Sequence, residues 1–525
     1  IPGRWFYKDP ITPYWTVPGE NHNYMRRALE LNEGHFYPDC VGFINPNAFA
    51  GTKIDVKHDR LKIVGKRADY VVKSIQALCM YYETFTKWDA RRNKVASKTL
   101  PISLAQVIYN KGNIRVITFP VGLYDRVVSF LSYFAVPVTV YPYPEAPEPT
   151  QNYKLHATLR PYQAEAVESI NEVPRATLVL ATGGGKTILS AGIIEKLQQN
   201  TIFYVYSTDL LYQTARTFKS VFNQEIGIIG DEKFELRPIT VASVPTVHSW
   251  WTRKNPRWPE LEQHLSQVQL AFIDEGHMLG AETILEIAQL TNAYYTYALT
   301  ATPFREDGKD ICIEAGAGRI IELVPEERLV KEGYILPVNV YLVGIRHKPT
   351  RYKRYQTIYK HSVVQNKKRN QKIAEVAARY SDCQTIILVK EIKHGQILAN
   401  MTGYPFIHGS SKDRKELLEA FKEGRVSCLI ATSILKQGID IPEAEVLILA
   451  HGGAGEVELI QKIGRVRRPA SGKRNGLVID FRDQGIDVLE RQFEKRLAIY
   501  QKRKYLIMNT VRPERSASNR CIQSS

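Results

Sequence analysis

The stretch Leu178-Val-Leu-Ala-Thr-Gly-Gly-Gly-Lys-Thr187 decides how the rest of the chain is read. Apolar residues run into three glycines, then Lys186-Thr187, then the apolar pair Ile188-Leu189. That pattern predicts a buried strand, a tight loop and the first turn of a helix. Backbone N–H groups of such a loop converge on phosphate oxygens, and the helix N-terminus adds positive potential. In this reading Lys186 pairs with β- and γ-phosphates and the Thr187 hydroxyl ligates Mg²⁺. Leu180 stands where G-x-x-x-x-G-K-[ST] has its first glycine. A strand, a flexible turn and a chance lysine are therefore the plain alternative, and the partners downstream decide.

Ala271-Phe-Ile-Asp-Glu-Gly-His277 is the second deciding stretch. A hydrophobic strand ending in Asp-Glu puts Asp274 at the carboxyl edge of a sheet, where ligands bind in α/β folds. Asp274 then holds Mg²⁺ and Glu275 orients and deprotonates an attacking water. A solvated strand end is the alternative, a poor one for a pair that follows a phosphate loop. The third stretch is Gln461-Lys-Ile-Gly-Arg-Val-Arg-Arg468. Arg465 and Arg468, three apart, are expected on one helix face, bringing guanidinium charge to a γ-phosphate, with Gly464 allowing close approach. A basic surface helix is the alternative.

At 525 residues the chain has room for roughly three to four domains. Its 44% hydrophobic and 24% charged content are those of an ordinary globular protein. The net charge of +17 points to a polyanionic partner. An anionic membrane is the alternative partner, although no uninterrupted apolar run is long enough to span a bilayer. Cys40, Cys79, Cys312, Cys383, Cys428 and Cys521 are scattered, which suggests reduced thiols rather than a zinc site or disulfide framework. No secretory signal is visible, so the expected location is the cytoplasm of a bacterial or phage-infected cell, or its nucleoid.

The pattern divides the chain at 1–150, 151–344 and 345–525. The first fifty residues form an aromatic, Pro- and Asn-rich arm. A small α+β domain follows, with a strand at Leu61–Val64, a helix over Ala68–Tyr82 whose apolar face carries Val71, Ile75, Leu78 and Tyr82, and a basic loop over Lys87–Lys94. A strand over Ile114–Thr118, a helix over Leu123–Phe134 and a strand over Val136–Val140 complete it, and Tyr143–Pro149 is a Pro-rich linker. Beyond it, buried strands alternate with helices twice over, the signature of two parallel sheets in tandem. A basic helix and a Ser/Arg-rich tail follow Arg491.

These stretches, in this order, resemble the superfamily-2 helicases and translocases from about Leu159 to Asp483. Leu159-Arg-Pro-Tyr-Gln163 is similar to the adenine-recognition element, with Arg160 or Tyr162 stacking on the base and Gln163 reading its edge. Leu180–Thr187 matches motif I, which implies that Thr182, Gly183, Gly184, Gly185, Lys186 and Thr187 line the nucleotide, with Thr187 and Asp274 on the metal. Ser207–Gln213 matches motif Ia and Val241–Thr246 motif Ic. Asp274-Glu-Gly-His277 is a DEAH-like motif II, which adds His277 to the catalytic set. Leu299-Thr-Ala-Thr-Pro-Phe-Arg305 matches motif III and Ile407-His-Gly409 motif IVa. Ala431–Asp440 matches motif V, with Gly438 and Asp440 near the nucleotide, and Gln461–Arg468 matches motif VI, with Gln461, Arg465 and Arg468 catalytic.

The resemblance implies two RecA-like domains enclosing ATP and Mg²⁺, with nucleic acid on the opposite face near Ser207, Thr246, Thr302, His408 and Thr432. Leu329–Pro337 and Asn366-Lys-Lys-Arg-Asn370 are similar to segments of the XPB-like branch, and the N-terminal domain resembles that of phage UvsW-type branch-migration helicases. The expected activity is ATP-dependent remodelling of branched, forked or duplex DNA, in recombination or repair, with Trp88, Arg91 and Arg92 also on the DNA. An RNA helicase or the motor subunit of a nuclease complex is the enzymatic alternative. A DNA-binding scaffold that uses ATP as a switch is the other, and it has no need of Glu275, Arg465 and Arg468.

Overall fold

A computed structural model describes residues 7–8, 15–16 and 52–509, except 58, 67, 90–93, 134–137, 142–143, 171–172, 277–280, 305–307, 412, 433–443, 454 and 471–472. In the arm, β1 (Tyr7–Lys8) pairs antiparallel with β2 (Trp15–Thr16). The N-terminal domain then runs β3 (Lys53–Lys57), β4 (Arg60–Val64), α1 (Ala68–Leu78), β5 (Met80–Asp89), β6 (Lys94–Ser103), β7 (Gln106–Lys111), β8 (Ile114–Thr118), α2 (Tyr124–Tyr133) and β9 (Val138–Val140). Five of the strands form one sheet in the order β7-β8-β4-β3-β9. Ile54, Val56, Leu61 and Ile63 alternate with polar residues, so one face of the sheet packs on Val71, Ile75 and Leu78 of α1 and Val127, Phe130 and Leu131 of α2.

Two expectations fail in this domain. The helix stops at Leu78, and Tyr82 is 49% exposed on β5 instead of buried on a helix face. The run Met80-Tyr81-Tyr82-Glu83-Thr84-Phe85 is rich in strand formers and pairs along its whole length with β6. Of the expected basic loop, Lys87–Asp89 end β5 and Lys94 opens β6, residues 90–93 lie outside the described residues, and the two strands make a two-stranded sheet.

The first α/β domain contains α3 (Pro161–Ser169), β10 (Arg175–Val179), α4 (Lys186–Leu197), β11 (Thr201–Val205), α5 (Thr208–Phe222), β12 (Gly227–Gly230), β13 (Lys233–Glu235), β14 (Ile239–Ser243), α6 (Val244–Thr252), α7 (Trp258–Leu265), β15 (Leu270–Asp274), α8 (Ala281–Thr291), β16 (Tyr295–Thr300), α9 (Ile311–Ala317) and β17 (Ile320–Glu322). The sheet order is β13-β12-β14-β11-β15-β16-β10-β17, parallel except for β12–β13. Every residue of β11, β15 and β16 is buried, as expected for strands covered by helices on both faces.

The second α/β domain contains α10 (Glu326–Lys331), β18 (Val338–Arg346), α11 (Tyr355–Tyr359), α12 (Lys367–Arg379), β19 (Thr385–Leu388), α13 (Ile392–Thr402), β20 (Phe406–Ile407), α14 (Arg414–Lys422), β21 (Cys428–Ala431), β22 (Val446–Leu449), α15 (Glu456–Gly464), β23 (Gly476–Gln484), α16 (Asp487–Lys502) and β24 (Leu506–Asn509). Its order, β20-β21-β19-β22-β23-β18-β24, is parallel throughout. Both domains are RecA-like. β18 runs through the expected boundary at 344/345, and the expected tail contains β24, which pairs with β18.

By packing, the described chain divides into two units. One comprises the residues up to Val179 with Leu189–Tyr206 and Thr217–Leu323, and the other Leu180–Ile188, Ser207–Arg216 and the residues from Val324 onward. Within the first, the N-terminal domain is built onto α9. A Cβ at Gly122 would lie 2.1 Å from the Glu314 carbonyl oxygen, so the two backbones touch there and only glycine fits.

Candidate nucleotide site and motor motifs

The loop after β10 has the shape that its glycines allow. Gly183 and Gly185 take φ of +88° and +77°, the left-handed region, and a Cβ at Gly184 would press on the Leu180 side chain at 2.8 Å. These turns bring the chain from the strand end into the first turn of α4 at Lys186, with Thr187 beside it and both half-buried. The Thr182 hydroxyl is buried in this loop without a hydrogen-bond partner among the described residues. A glycine cradle at the start of a twelve-residue helix fits a phosphate chain, whose oxygens would meet backbone N–H groups and the helix's positive end.

Asp274 is the last residue of β15 and 9% exposed. Since β15, β16 and β10 are adjacent and parallel, Asp274 lies on the carboxyl edge from which the glycine loop departs. Glu275 turns away from the strand with φ of +48°, a strained conformation for a non-glycine residue. Its amide N–H is held by the Leu299 carbonyl at 2.9 Å and by Asp274 Oδ1 at 3.1 Å. His277 lies outside the described residues, as do Arg91, Arg92, Gly438 and Asp440, and of Trp88 only the backbone is described.

Motif VI is placed differently from the expectation. α15 ends at Gly464, Arg465 caps it, and Arg468 lies beyond, so the two arginines share no helix face. The helix stops because the following turn is held elsewhere. Arg467, 5% exposed, donates from Nε to the Leu336 carbonyl at 3.1 Å and pairs with Glu326. Gln461 is half-buried on α15. In the same unit Gly464 packs on the glycine loop: a Cβ there would lie 2.5 Å from Thr182 Cγ2.

The adenine element is also corrected. The Tyr162 ring is fully buried, and its hydroxyl accepts from Arg160 Nη1 at 3.2 Å, so it has no face to offer a base. Gln163, 2% exposed, accepts the Arg160 amide at 2.9 Å as a helix cap, whereas Arg160 itself is exposed. Of the residues expected at the nucleic-acid backbone, Thr302 is fully buried, with its amide held by Thr300 Oγ1 at 3.0 Å, and Thr432 is 7% exposed. Neither presents a surface hydroxyl. Ser207 is half-buried just before α5, where its Oγ accepts from the Leu210 amide at 3.3 Å. Thr246 and His408 are half-buried.

Sequence reasoning missed two buried arginines, Arg369 and Arg496, which pair with Asp483 and Asp480. A signal was present. Arg496 falls on the apolar stripe Leu489, Phe493, Tyr500 of α16, and Asp480 interrupts the apolar run of β23. A charge within an apolar stripe calls for a buried partner.

Two family descriptions match the chain: the res subunit of type III restriction enzymes over residues 156–305, and the helicase conserved C-terminal domain over 354–470. A DNA 3'-5' helicase XPB of Kineococcus radiotolerans is 29% identical over 327 residues, 59% of this chain and 57% of that protein. The DNA 3'-5' translocase XPB2 of Sulfurisphaera tokodaii is 24% identical over 372 residues, 62% of this chain and 82% of that one. The crystal structure of T4 UvsW aligns with 87% of this chain and 99% of its own, at 17% identity and a TM-score of 0.37, too low to carry an argument. The chain spans little more than half the length of the first curated relatives it matches.

Proposed function

The chain belongs to the superfamily-2 helicases, of the XPB-like type, and from that premise we propose that it is an ATP-driven motor acting on DNA. The observation that carries the reading is the glycine loop, which opens a helix on the sheet edge that also bears Asp274, while Gly464 at the end of α15 packs on Thr182 of the loop. Lys186 would bind the β- and γ-phosphates of ATP, and Thr187 and Asp274 are the residues that would hold Mg²⁺. The ion, when bound, neutralises phosphate charge as it develops. Glu275 orients the attacking water and takes its proton, and its backbone, fixed by two hydrogen bonds to the amide, sets the carboxylate's direction. Arg465 and Arg468 supply positive charge to the γ-phosphate as it leaves, with Gln461 on the last turns of α15 before them.

DNA is the proposed track. The net charge of +17 supports a polyanion, and the relatives above carry DNA helicase and translocase names. Branched or forked duplex is the finer proposal, and the basic, Trp-bearing β5–β6 ribbon motivates it. The test is steady-state ATP hydrolysis by the full chain with single-stranded DNA, duplex, a fork, a four-way junction and RNA. The expected result is stimulation by DNA, strongest with branched forms. Equal turnover with and without any polynucleotide would overturn the motor reading, and stimulation by RNA alone would move the track to RNA.

A further inference from the structure

α15 begins at Glu456, capped by Gly455, shortly after a glycine-rich turn, Ala450-His451-Gly452-Gly453, that leaves the end of β22. Gly452 has φ of +62°, and two adjacent glycines make this turn costly to order. Two buried guanidinium groups reach it. Arg369, on the first turn of α12, is fully buried; it grips Asp483 through Nε at 2.9 Å and Nη2 at 3.2 Å, and its Nη1 donates to the Ala450 carbonyl at 2.7 Å. Arg496, on α16, is 2% exposed; it grips Asp480 through Nε at 2.8 Å and Nη2 at 2.9 Å, and its Nη1 donates to the Gly453 carbonyl at 2.9 Å.

Both aspartates stand on β23, which lies next to β22 in the sheet. Each arginine therefore spends two N–H groups on its carboxylate and one on the turn, at either end of it. Within the turn, His451 Nδ1 accepts the Gly453 amide at 2.9 Å, and its Nε2 lies 2.7 Å from Lys462 Nζ on α15. A continuous set of short contacts thus runs from β23 through two forks to the turn and onto the helix that ends at Gly464.

We propose that Arg369 and Arg496 are positioning residues for hydrolysis: they hold the 450–453 turn and thereby set where α15 ends and the segment after it, with Arg465 and Arg468, begins. The proposal rests on the ATPase reading above. Charge alone does not do this. Lysine keeps the cation but lacks the fork, and cannot hold a carboxylate by two bonds and a carbonyl by a third. A misplacement of the arginines by about 1 Å would lower kcat ~10- to 100-fold while leaving ATP binding in place.

The experiment uses the full chain and four variants, Arg369→Lys, Arg496→Lys, Gly452→Ala and Tyr500→Phe, assayed below their unfolding temperatures. Gly452→Ala strains the turn without removing a buried partner, and serves if a lysine variant does not fold. Tyr500→Phe removes the hydroxyl bond to Asp480 (2.8 Å) but leaves both arginine contacts with the turn. Nucleic-acid-stimulated kcat and the KM for ATP are measured, together with amide hydrogen exchange across 451–464. The expected result is faster exchange in that segment and a kcat at least about tenfold lower, with KM within about twofold, in the first three variants only. Unchanged exchange, parental kcat, or an equal loss of kcat in Tyr500→Phe would each overturn the proposal. Should the parent chain hydrolyse no ATP at all, the ATPase reading and the hydrolytic role fall together, and the exchange data separately decide whether the arginines brace the turn.

Discussion

Arg126 and Glu314, 188 residues apart in the chain, meet in a buried pair, with Arg126 Nη2 2.7 Å from Glu314 Oε2 and the side chains 5% and 7% exposed. One comes from α2 of the N-terminal domain and the other from α9, the helix that follows motif III. Breaking such a pair strands a buried charge, whereas replacing both partners by apolar groups is far milder. Arg126→Met alone should lower unfolding stability by about 3–5 kcal/mol, and the double variant Arg126→Met/Glu314→Met by much less. Denaturant midpoints of the two single variants and the double variant form the cycle that checks it; additive losses would contradict it.

Glu275→Gln should leave ATP binding near the parental level while cutting turnover by orders of magnitude, because the water loses its base. Lys186→Ala should weaken binding as well. Equilibrium binding of a fluorescent ATP analogue beside single-turnover hydrolysis separates the two. Near-parental turnover in Glu275→Gln would remove the proposed mechanism.

Period and punctuation made the two parallel sheets legible: Thr201–Val205 and Leu270–Asp274 are short apolar runs with helical stretches between. The glycine loop was legible because Gly183 and Gly185 occupy backbone conformations that other residues avoid. What escaped depends on long-range packing. Tyr162 reads as a platform for a base because an aromatic beside an arginine looks available, and only the fold shows its ring enclosed. Thr302 reads as a surface hydroxyl for the same reason. The end of α15 was misread because nothing local announces that Arg467 is drawn to Glu326, 141 residues earlier.

Arg468→Ala should lower kcat far more than it raises the KM for ATP, since guanidinium charge matters most as the γ-phosphate departs. Lysine at 468 should rescue poorly, lacking the planar fork. Parental turnover of Arg468→Ala with saturating DNA would leave that segment a basic surface.

Burial, reinforced by the nearby Arg369, pushes His394 down to about 3, and its Nε2 contacts Asn370 Oδ1 at 3.0 Å. The unfolded chain protonates this ring near pH 6.5, so between that pH and about 3 the unfolded state binds more protons and stability falls as pH falls. Acidification from pH 6.5 to 5 should cost about 2 kcal/mol for this one group. His394→Gln keeps a donor for Asn370 and removes the titration. Its stability should therefore decline less steeply over that interval, with His451, displaced downward by burial and by Lys462, supplying part of the slope that stays. Identical pH slopes for parent and variant would show that His394 is not held neutral.

The last prediction concerns what selects branched DNA. Lys87, Trp88, Arg91, Arg92 and Lys94 fall within eight residues, and Trp88 pairs across the ribbon with Val95. Strands of ten residues give the β5–β6 ribbon a reach of about 30 Å, and among the described residues they pair only with each other. An indole can stack on a base exposed at a junction while cations bind phosphate. The base of the ribbon is fastened to the segment after motif III: Lys309 Nζ lies 2.6 Å from Glu83 Oε1 and 5.0 Å from the centre of the Tyr81 ring. Deleting the whole domain is a poor test, because it would uncover Glu314. Trp88→Ala and the pair Arg91→Ala/Arg92→Ala keep Arg126, Glu314, Glu83 and Lys309 in place. Both should keep ATP turnover on plain duplex and lose the preference for forks and junctions. The arginine pair should also flatten the salt dependence of binding by about one to two ion equivalents. Fork preference unchanged in both variants would place the selector outside the ribbon, with the basic residues after Arg491 the next to test.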